Sequence, residues 1–206
     1  MDVKVIGMCD YYSRHAQIYY EQTKSTDMSS LYEHFISRIK LGSRILDLGA
    51  GSGRDALWFW QHGYDAEALE PSIPLCNLWK SRFRGRIINQ KIENFQPAQP
   101  YDAIWACASL LHLTQSELMA FVHRLPAFLK PGGILYASGK NQIETGYQAD
   151  GRYFLEFTEE LVKEIVAAVP GIELLELWYT SDARGRRETR WLNFILRYAG
   201  TNEFSR

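Results

Sequence analysis

The residue types best suited to chemistry stand together in Asp47-Leu48-Gly49-Ala50-Gly51-Ser52-Gly53-Arg54. A short apolar run from Ile45 ends with this acid beside Leu48, three glycines follow at alternate positions, and an amphipathic segment begins. Glycine serves where the backbone takes positive φ and where a ligand must lie against the main chain with no Cβ in the way. A helix start adds free N–H groups and the positive end of the helix dipole. The pattern suits a ligand with an anionic part held close to backbone. A second acid, Glu70, ends the next apolar run at about 20 residues beyond the glycines, where a carboxylate can accept from both ribose hydroxyls. Glu70 therefore supports an adenosine-containing ligand without choosing among them. Its alternative is a helix-capping acid. His112 follows a third apolar run, in place for a general base or for a packed histidine.

The decoration of the turn separates ligand classes. A dinucleotide fingerprint needs a small residue at its last position, for close helix–strand packing. Aligned on Gly49 and Gly51, that position is Arg54. The order Asp-x-Gly-x-Gly-x-Gly instead resembles motif I of the class I S-adenosylmethionine (SAM)-dependent methyltransferases, and the following arginine resembles the turn of tellurite-resistance-type methyltransferases locally. That resemblance implies that Asp47 lies near the methionine portion of the cofactor. It implies that Gly49, Ala50, Gly51, Gly53 and Arg54 form the turn around its methionyl and ribose portions, with Glu70 and Pro71 on the ribose. Residues Tyr11–Thr23 carry four tyrosines and resemble the N-terminal cap of small-molecule methyltransferases, with Tyr12 and Tyr19 as expected cofactor contacts. Aromatic faces attract cations such as a sulfonium, or the tyrosines simply pack the cap. Gln90 stands where relatives often place an Asp that accepts from the adenine amino group, and the backbone of Lys91 and Ile92 is expected beside the ring. Tyr101–Cys107 with Leu110-Leu111-His112 resembles motif IV in its small-molecule form. It lacks the (Asn/Asp/Ser)-Pro-Pro-(Tyr/Phe) turn of enzymes that methylate DNA adenine or protein glutamine. Cys107 reads as a small buried residue beside the cofactor rather than a nucleophile. Lys130-Pro131-Gly132-Gly133 resembles the turn common before the fifth strand of this family.

The elements that must position these residues follow from periodicity and punctuation. Strands are expected at Ile45–Leu48, Tyr64–Leu69, Arg86–Asn89, Tyr101–Cys107, Ile134–Ala137, Ile172–Tyr179 and Arg190–Tyr198. The tyrosine segment reads as one helix. Met28, Leu31, Tyr32, Phe35, Ile36 and Ile39 make one helical face, with Asp27 or Ser25 as its cap. Asp55–His62 continues the glycine turn as a helix stopped by Gly63. Ser72 caps another helix, with Pro74 tolerated in its first turn. Thr114 and Glu117 form a capping box for a helix reaching Leu129, and Thr158 starts the last one. The polar stretch Gly139–Tyr153 reads as a long loop at a strand C-terminus, where open α/β sheets bind ligands. Lys140, Arg152 and Tyr153 are thus substrate-side candidates. Arg184, Arg186 and Arg187, at the tip of the closing hairpin, share that edge; Arg186 and Arg187 complete the substrate candidates, against the alternative of an exposed charged turn.

The chain has 206 residues and a formal net charge of −1, which gives no global pull towards nucleic acid or membrane. The basic stretch from Lys80 to Arg86 contains Phe83 alone among aromatics and reads as a solvated face. Residues Met1–Asp10 lack a signal-peptide core, and no apolar run is long enough to span a bilayer. Cys9, Cys76 and Cys107 are widely spaced, fit a reducing cytoplasm and form no metal-ligand cluster, so no metal is expected. The expectation is an α/β fold with a Rossmann-like, seven-stranded, mostly parallel sheet, an antiparallel closing hairpin, helices on both faces and an N-terminal helical cap. Residues 1–42 would form the cap and first helix, and 43–206 the core. The expected activity is methyl transfer from SAM to a small-molecule acceptor, anionic if the basic residues bind it, with release of S-adenosylhomocysteine (SAH). The alternatives are a SAM-binding regulatory protein without turnover and a nicotinamide-dependent oxidoreductase, NAD(P) sharing the logic of Glu70.

Overall fold

The computed structural model describes residues 8–200 apart from Arg187. Helices α1 (Met8–Arg14), α2 (Ala16–Thr23) and α3 (Ser29–Ile36) precede β1 (Arg44–Leu48), α4 (Arg54–Gln61), β2 (Asp65–Leu69), α5 (Ile73–Asn77) and β3 (Ile87–Ile88). Then come β4 (Tyr101–Cys107), α6 (Gln115–Val122), α7 (Leu125–Phe128), β5 (Leu129–Asn141), the short pair β6 (Gly146–Tyr147) and β7 (Tyr153–Phe154), α8 (Glu159–Ala168), β8 (Ile172–Ser181) and β9 (Arg190–Tyr198). Seven strands form one sheet in the order β3-β2-β1-β4-β5-β9-β8. β1 to β5 are parallel, and β9 runs antiparallel to both β5 and β8. This is the mixed α/β sheet the sequence predicts. Its strand order reverses between β1 and β4, where such sheets open a crevice at their C-terminal edge.

Two apolar layers cover the sheet. Ile45, Trp105, Tyr136 and Ile195 face one cluster with Phe35 of α3, Phe59 of α4 and Trp79. Leu46, Ile104, Leu135 and Phe194 face the other, with Leu118 and Phe121 of α6 and Leu161 and Ile165 of α8. Successive strand residues alternate between the faces, as a period of two requires. The side chains of Trp105 and Tyr136 stack at 4.0 Å across β4 and β5.

Several boundaries differ from the sequence reading. The tyrosine segment is two helices broken at His15, whose backbone leaves the helical region (φ −108°, ψ 18°). The helix after Thr114 also breaks: Pro126 has no N–H to offer the Val122 carbonyl, and α6 ends at Val122. The Lys130–Gly133 segment lies within β5 rather than before it. Leu129 already pairs with Tyr101, and the chain bulges before Ile134 pairs with Ala103. The stretch 139–153 is not a structureless loop: β5 runs on to Asn141, and β6 pairs with β7. All four basic residues Lys80, Arg82, Arg84 and Arg86 are exposed.

Glycine is required at Gly53, where φ is +70° and a Cβ would run into the Trp79 ring. Gly132 has φ +84° with nothing within 4 Å of a Cβ. Gly53→Ala should therefore cost about 2–5 kcal/mol from left-handed strain plus overpacking. Gly132→Ala should cost about 1–2 kcal/mol from strain alone. Urea midpoints at constant slope measure both; equal losses would contradict the Trp79 contact.

Candidate functional site

The glycine turn is held from several sides. Leu69 O, at the end of β2, accepts from Gly49 N at 2.8 Å and Ala50 N at 3.1 Å. Trp79 Nε1 donates to Gly51 O at 3.0 Å. The Glu70 carboxylate accepts from Gly51 N at 2.9 Å and Ser72 N at 2.8 Å. Burial pushes the Glu70 carboxyl up, and the two backbone donors pull it down. Ser72 in turn caps α5 by accepting from Leu75 N. Gly49 and Gly51 have φ +76° and +55°; a Cβ on Gly49 would stand 2.5 Å from Ser109 Cβ, and one on Gly51 would stand 3.2 Å from the Tyr19 ring. Both glycines keep the backbone bare against neighbours that border the same space.

That space is a cavity of about 300 Å³ at the C-terminal edge of the sheet. Gly49, Gly51, Glu70 and Pro71 form one wall, and Gln90, Lys91 and Ile92 another. Tyr12 and Tyr19 of the cap, His112 and Tyr153 also border it. Tyr12 and Tyr19 meet edge to face at 4.8 Å, and burial raises both phenols above the ordinary tyrosine range.

Asp47, Ala50 and Gly53 do not border this cavity. Asp47 lies behind the turn and accepts from Ala56 N of α4 at 2.9 Å; burial and the neighbouring Asp55 push its carboxyl up. Arg54 and Cys107 border a second cavity, of about 100 Å³. Arg54 makes a two-pronged pair with Asp55 at 2.6 and 2.7 Å. Burial and the Asp55 charge push the Cys107 thiol up to about 12, which makes it a packed thiol.

The sequence reading passed over Ser109 and Ala108. Ala108 sits in the left-handed region at φ 53°, a strained state for a residue with a Cβ. Its N–H donates to Ser138 Oγ at 3.0 Å. Ser109 borders the larger cavity, and its buried Oγ has no hydrogen-bond partner among the described residues. No local sequence signal marks either residue. A bare backbone turn, a cradle any Cβ would fill and an orphaned hydroxyl are what a bound polar ligand would complete.

His112 joins three elements. Its Nδ1 lies 2.9 Å from the Tyr153 carbonyl and its Nε2 lies 2.8 Å from Tyr12 Oη. A carbonyl only accepts, so Nδ1 carries the proton, and Nε2 accepts from the Tyr12 hydroxyl. Burial drives the imidazole down to about 4; Arg152 and Lys140 work the same way, while the Tyr153 carbonyl and Asp150 oppose them.

Lys140 and Arg152 lie close enough to this histidine for their charges to act on it, while neither they nor Arg186 borders either cavity. Lys140 Nζ lies 4.0 Å from the Phe154 ring centre, and the Arg152 guanidinium 5.0 Å from it. Arg152 pairs with Asp150 at 2.6 Å and Arg186 with Asp182 at 2.5 Å. Among the described residues no carboxylate pairs with Lys140. Burial, with Arg186, Arg152 and Arg184 nearby, lowers the Lys140 ammonium to about 8. Arg187 lies outside the described residues. Among the described residues no group of three or more His, Cys, Asp or Glu could hold a metal ion, and no helix is long and apolar enough to cross a membrane.

A family described as "Methyltransferase domain" matches residues 45–133, from the first strand to the bulge in β5. An uncharacterized methyltransferase of Anoxybacillus flavithermus is 23% identical over 169 residues, 77% of this chain and 79% of its own. Among solved structures, Burkholderia thailandensis 1,6-didemethyltoxoflavin-N1-methyltransferase, with bound 1,6-didemethyltoxoflavin and SAH, superposes with a TM-score of 0.72. It is 19% identical, with 92% of this chain and 84% of that one covered. TehB from Haemophilus influenzae gives 0.66 at 18% identity, covering 88% of this chain and 66% of its own. At such identities these two structures establish the fold alone.

The His112 geometry fixes a pH dependence. Unfolded, the imidazole takes up its proton near pH 6.5; folded, only near pH 4. The unfolded state therefore binds more protons between these values. The stability from neutral His112 is complete above pH 6.5 and is lost as pH falls towards 4, at up to about 1.4 kcal/mol per pH unit. Urea midpoints between pH 7.5 and 4 should fall more steeply for the unaltered chain than for His112→Asn. Parallel curves would mean that the imidazole is not held neutral.

Proposed function

We propose that this chain, a class I SAM-dependent methyltransferase by its matched domain, its relatives and its fold, methylates a small-molecule acceptor that carries a negative charge. The observation that carries the reading is the joint boundary of one cavity. The glycine turn, Glu70 and the Gln90–Ile92 segment all face it. At about 300 Å³ it lies in the range of small-molecule sites.

Bound SAM supplies a methyl group already activated by its sulfonium charge. The chain's own work is to bind and align. Each Glu70 oxygen receives one backbone N–H and keeps a lone pair for a ribose hydroxyl. Ser109 Oγ gains the partner it lacks. The rings of Tyr12 and Tyr19 offer negative faces to a cation. Pro71 shapes the ribose wall, and Gln90, Lys91 and Ile92 flank the adenine. Asp47, Ala50, Gly53, Arg54 and Cys107 act on this first cavity by holding the turn and the end of β4 in shape. Fixing the acceptor in line is worth about 7–11 kcal/mol of the barrier, so no strong base is obligatory.

Lys140, Arg152 and Arg186 favour an anionic acceptor, with Tyr153 beside it. Lys140 carries the most weight, as a half-buried ammonium with no carboxylate on it among the described residues. If the acceptor must lose a proton, His112 can take it at Nε2. Tyr12 occupies that lone pair, so the proton passes through the Tyr12 hydroxyl or the acceptor displaces it. An anion beside Lys140 and Arg152 would offset the part those charges add to burial in holding His112 neutral. Free thiols at Cys9, Cys76 and Cys107 favour a reducing compartment, and we place the reaction in the cytoplasm. Arg54, where a dinucleotide fold wants a small residue, weighs against NAD(P).

Calorimetric titration of the purified chain with SAM, SAH and NADH tests the cofactor, with micromolar binding of SAM and SAH and none of NADH expected. Glu70→Ala should weaken SAM binding by about 1.5–3 kcal/mol, the scale of a lost hydrogen bond to a charged acceptor. Unchanged affinity would remove the ribose assignment. Transfer of labelled methyl from SAM across a panel of carboxylate, phosphate and neutral acceptors tests the rest. Lys140→Glu should raise KM for the preferred acceptor at least about tenfold, and turnover confined to neutral compounds would overturn the anionic reading.

A further inference from the structure

We propose that the β6–β7 hairpin is an acceptor clamp, and that the acceptor it selects is a planar aromatic compound with its nucleophilic oxygen or nitrogen on the ring. This rests on the reading of the chain as a methyltransferase of a small anionic acceptor, and it names the uncharged half of that acceptor.

The larger cavity has two kinds of wall. The glycine turn, Glu70 and Gln90–Ile92 form the side assigned to the cofactor. The hairpin forms another, through Tyr147 and Tyr153. These two residues pair directly across β6 and β7, and residues opposite one another in an antiparallel pair share a face. Their rings meet edge to face at 5.4 Å, with planes 72° apart. Phe154 and Leu155, next along the chain, are buried in the core and anchor the hairpin.

Tyr147 stands apart from the other surface residues. It borders the cavity, yet it is 55% exposed. Ile18, Leu41, Ile73, Leu174 and Leu175 are exposed too, and none of them borders either cavity. Scattered exposed apolar side chains are ordinary. One that overhangs a binding cavity is surface for a ligand to bury. The hairpin that carries it is also fixed. Leu155 N donates to Leu111 O at 2.7 Å and Gln148 N to Arg152 O at 2.7 Å, while the Tyr153 carbonyl accepts from His112 Nδ1. The ring is thus in place before any ligand arrives, which lowers the cost of using it.

An aromatic ring is the partner that fits such a surface. Rings stack on rings with a gain beyond the area they bury, whereas an aliphatic chain gains area alone. A flat acceptor pinned by one face keeps only the rotation about its own normal, and its charge can fix that one as well. The in-plane lone pair of its heteroatom then has a single direction, which in-line transfer needs. The neighbouring histidine favours the same class. His112 is neutral and, at about 4, a weak base. A phenol, at about 10, gives up its proton far more readily than an aliphatic hydroxyl, which lies near water at about 16. The ring heteroatom supplies the electron pair of the new bond to the methyl carbon, and the pair of the broken carbon–sulfur bond stays on sulfur. The ring proton, made acidic as its heteroatom bonds to carbon, passes through the Tyr12 hydroxyl to His112 Nε2.

Calorimetry on the SAH-loaded chain tests the clamp. The probes are para-hydroxybenzoate and a hydroxynaphthoate, each beside its ring-saturated counterpart and the neutral amides of both. The aromatic acids should bind at least about fivefold more tightly than the saturated ones. Tyr147→Leu, which keeps apolar bulk and loses the flat face, should abolish that preference, and Tyr147→Phe should retain it. Unchanged SAH affinity in both variants reports an intact fold. Equal affinity for aromatic and saturated acids, no binding of either aromatic acid, or a preference that survives Tyr147→Leu would overturn the clamp. Aromatic amides that bind as tightly as the aromatic acids, and more tightly than saturated amides, would support the clamp and overturn the anionic reading alone. Failure of SAH to bind would overturn both.

Discussion

The buried carboxylate of Glu70 is the constraint on which the site depends. It ends β2, accepts from Gly51 in the turn after β1, and accepts from Ser72 where α5 begins. A carboxylate without partners would be costly to bury, so the two N–H donors and the acid hold one another in place. Three chain segments meet at one group. The turn cannot move without leaving a buried charge short of a donor, and Glu70 cannot turn away without orphaning two backbone groups. The wall that faces the cavity is thereby rigid before any ligand arrives.

A second buried acid organises the other side of the turn. Asp55 accepts from Tyr32 Oη at 2.5 Å, from Trp105 Nε1 at 2.9 Å and from both prongs of Arg54. Against the cost of burial, Arg54 and the neutral donors hold its carboxyl down, while Asp47 nearby is pushed up by its own burial and by Asp55. The like charges thus separate into an ionised acid with a full set of donors and a neighbour driven towards its neutral form. Arg54 is too large for the packing position of a dinucleotide turn. Here it is locked by its own neighbour in sequence, so its guanidinium stays at the rim of the second cavity.

Much of this was legible from residue types. The strand–turn–helix at Asp47–Arg54, the spacing to Glu70 and the capping box at Thr114 are local patterns, and local backbone chemistry decides them. Where the reading failed, long-range contacts decided. The Lys130–Gly133 segment is drawn into β5 because Leu129 pairs with Tyr101. Asp47, which the resemblance puts near the methionine portion of the cofactor, turns its side chain under the loop, where it accepts from Ala56 N. Ser109 carried no signal, since a serine after a strand is ordinary. Only the bare Gly49 opposite it and the left-handed Ala108 before it set it apart. The hairpin arginines read as one charged cluster. The fold gives Arg186 to Asp182 and leaves the Arg184 side chain short of acceptors among the described residues, a distinction that depends on which donor reaches which oxygen.

The same logic of committed and uncommitted groups runs through the rim. Arg152 and Arg186 are paired, whereas Lys140 rests on an aromatic face with no carboxylate partner among the described residues. His112 is neutral, with Nδ1 pledged to a carbonyl and Nε2 to Tyr12. In the free protein burial above all, with the charges of Arg152 and Lys140 added to it, opposes an imidazolium, so the histidine makes a poor base. A bound anion would offset the cationic part of that opposition, because Lys140 and Arg152 act on His112 and would also hold the anion. Binding an acceptor of the matching charge and readying a proton sink would then be one electrostatic event. A neutral acceptor in the same place would meet an imidazole no more basic than in the free protein, so selectivity and chemistry would draw on the same pair of cations.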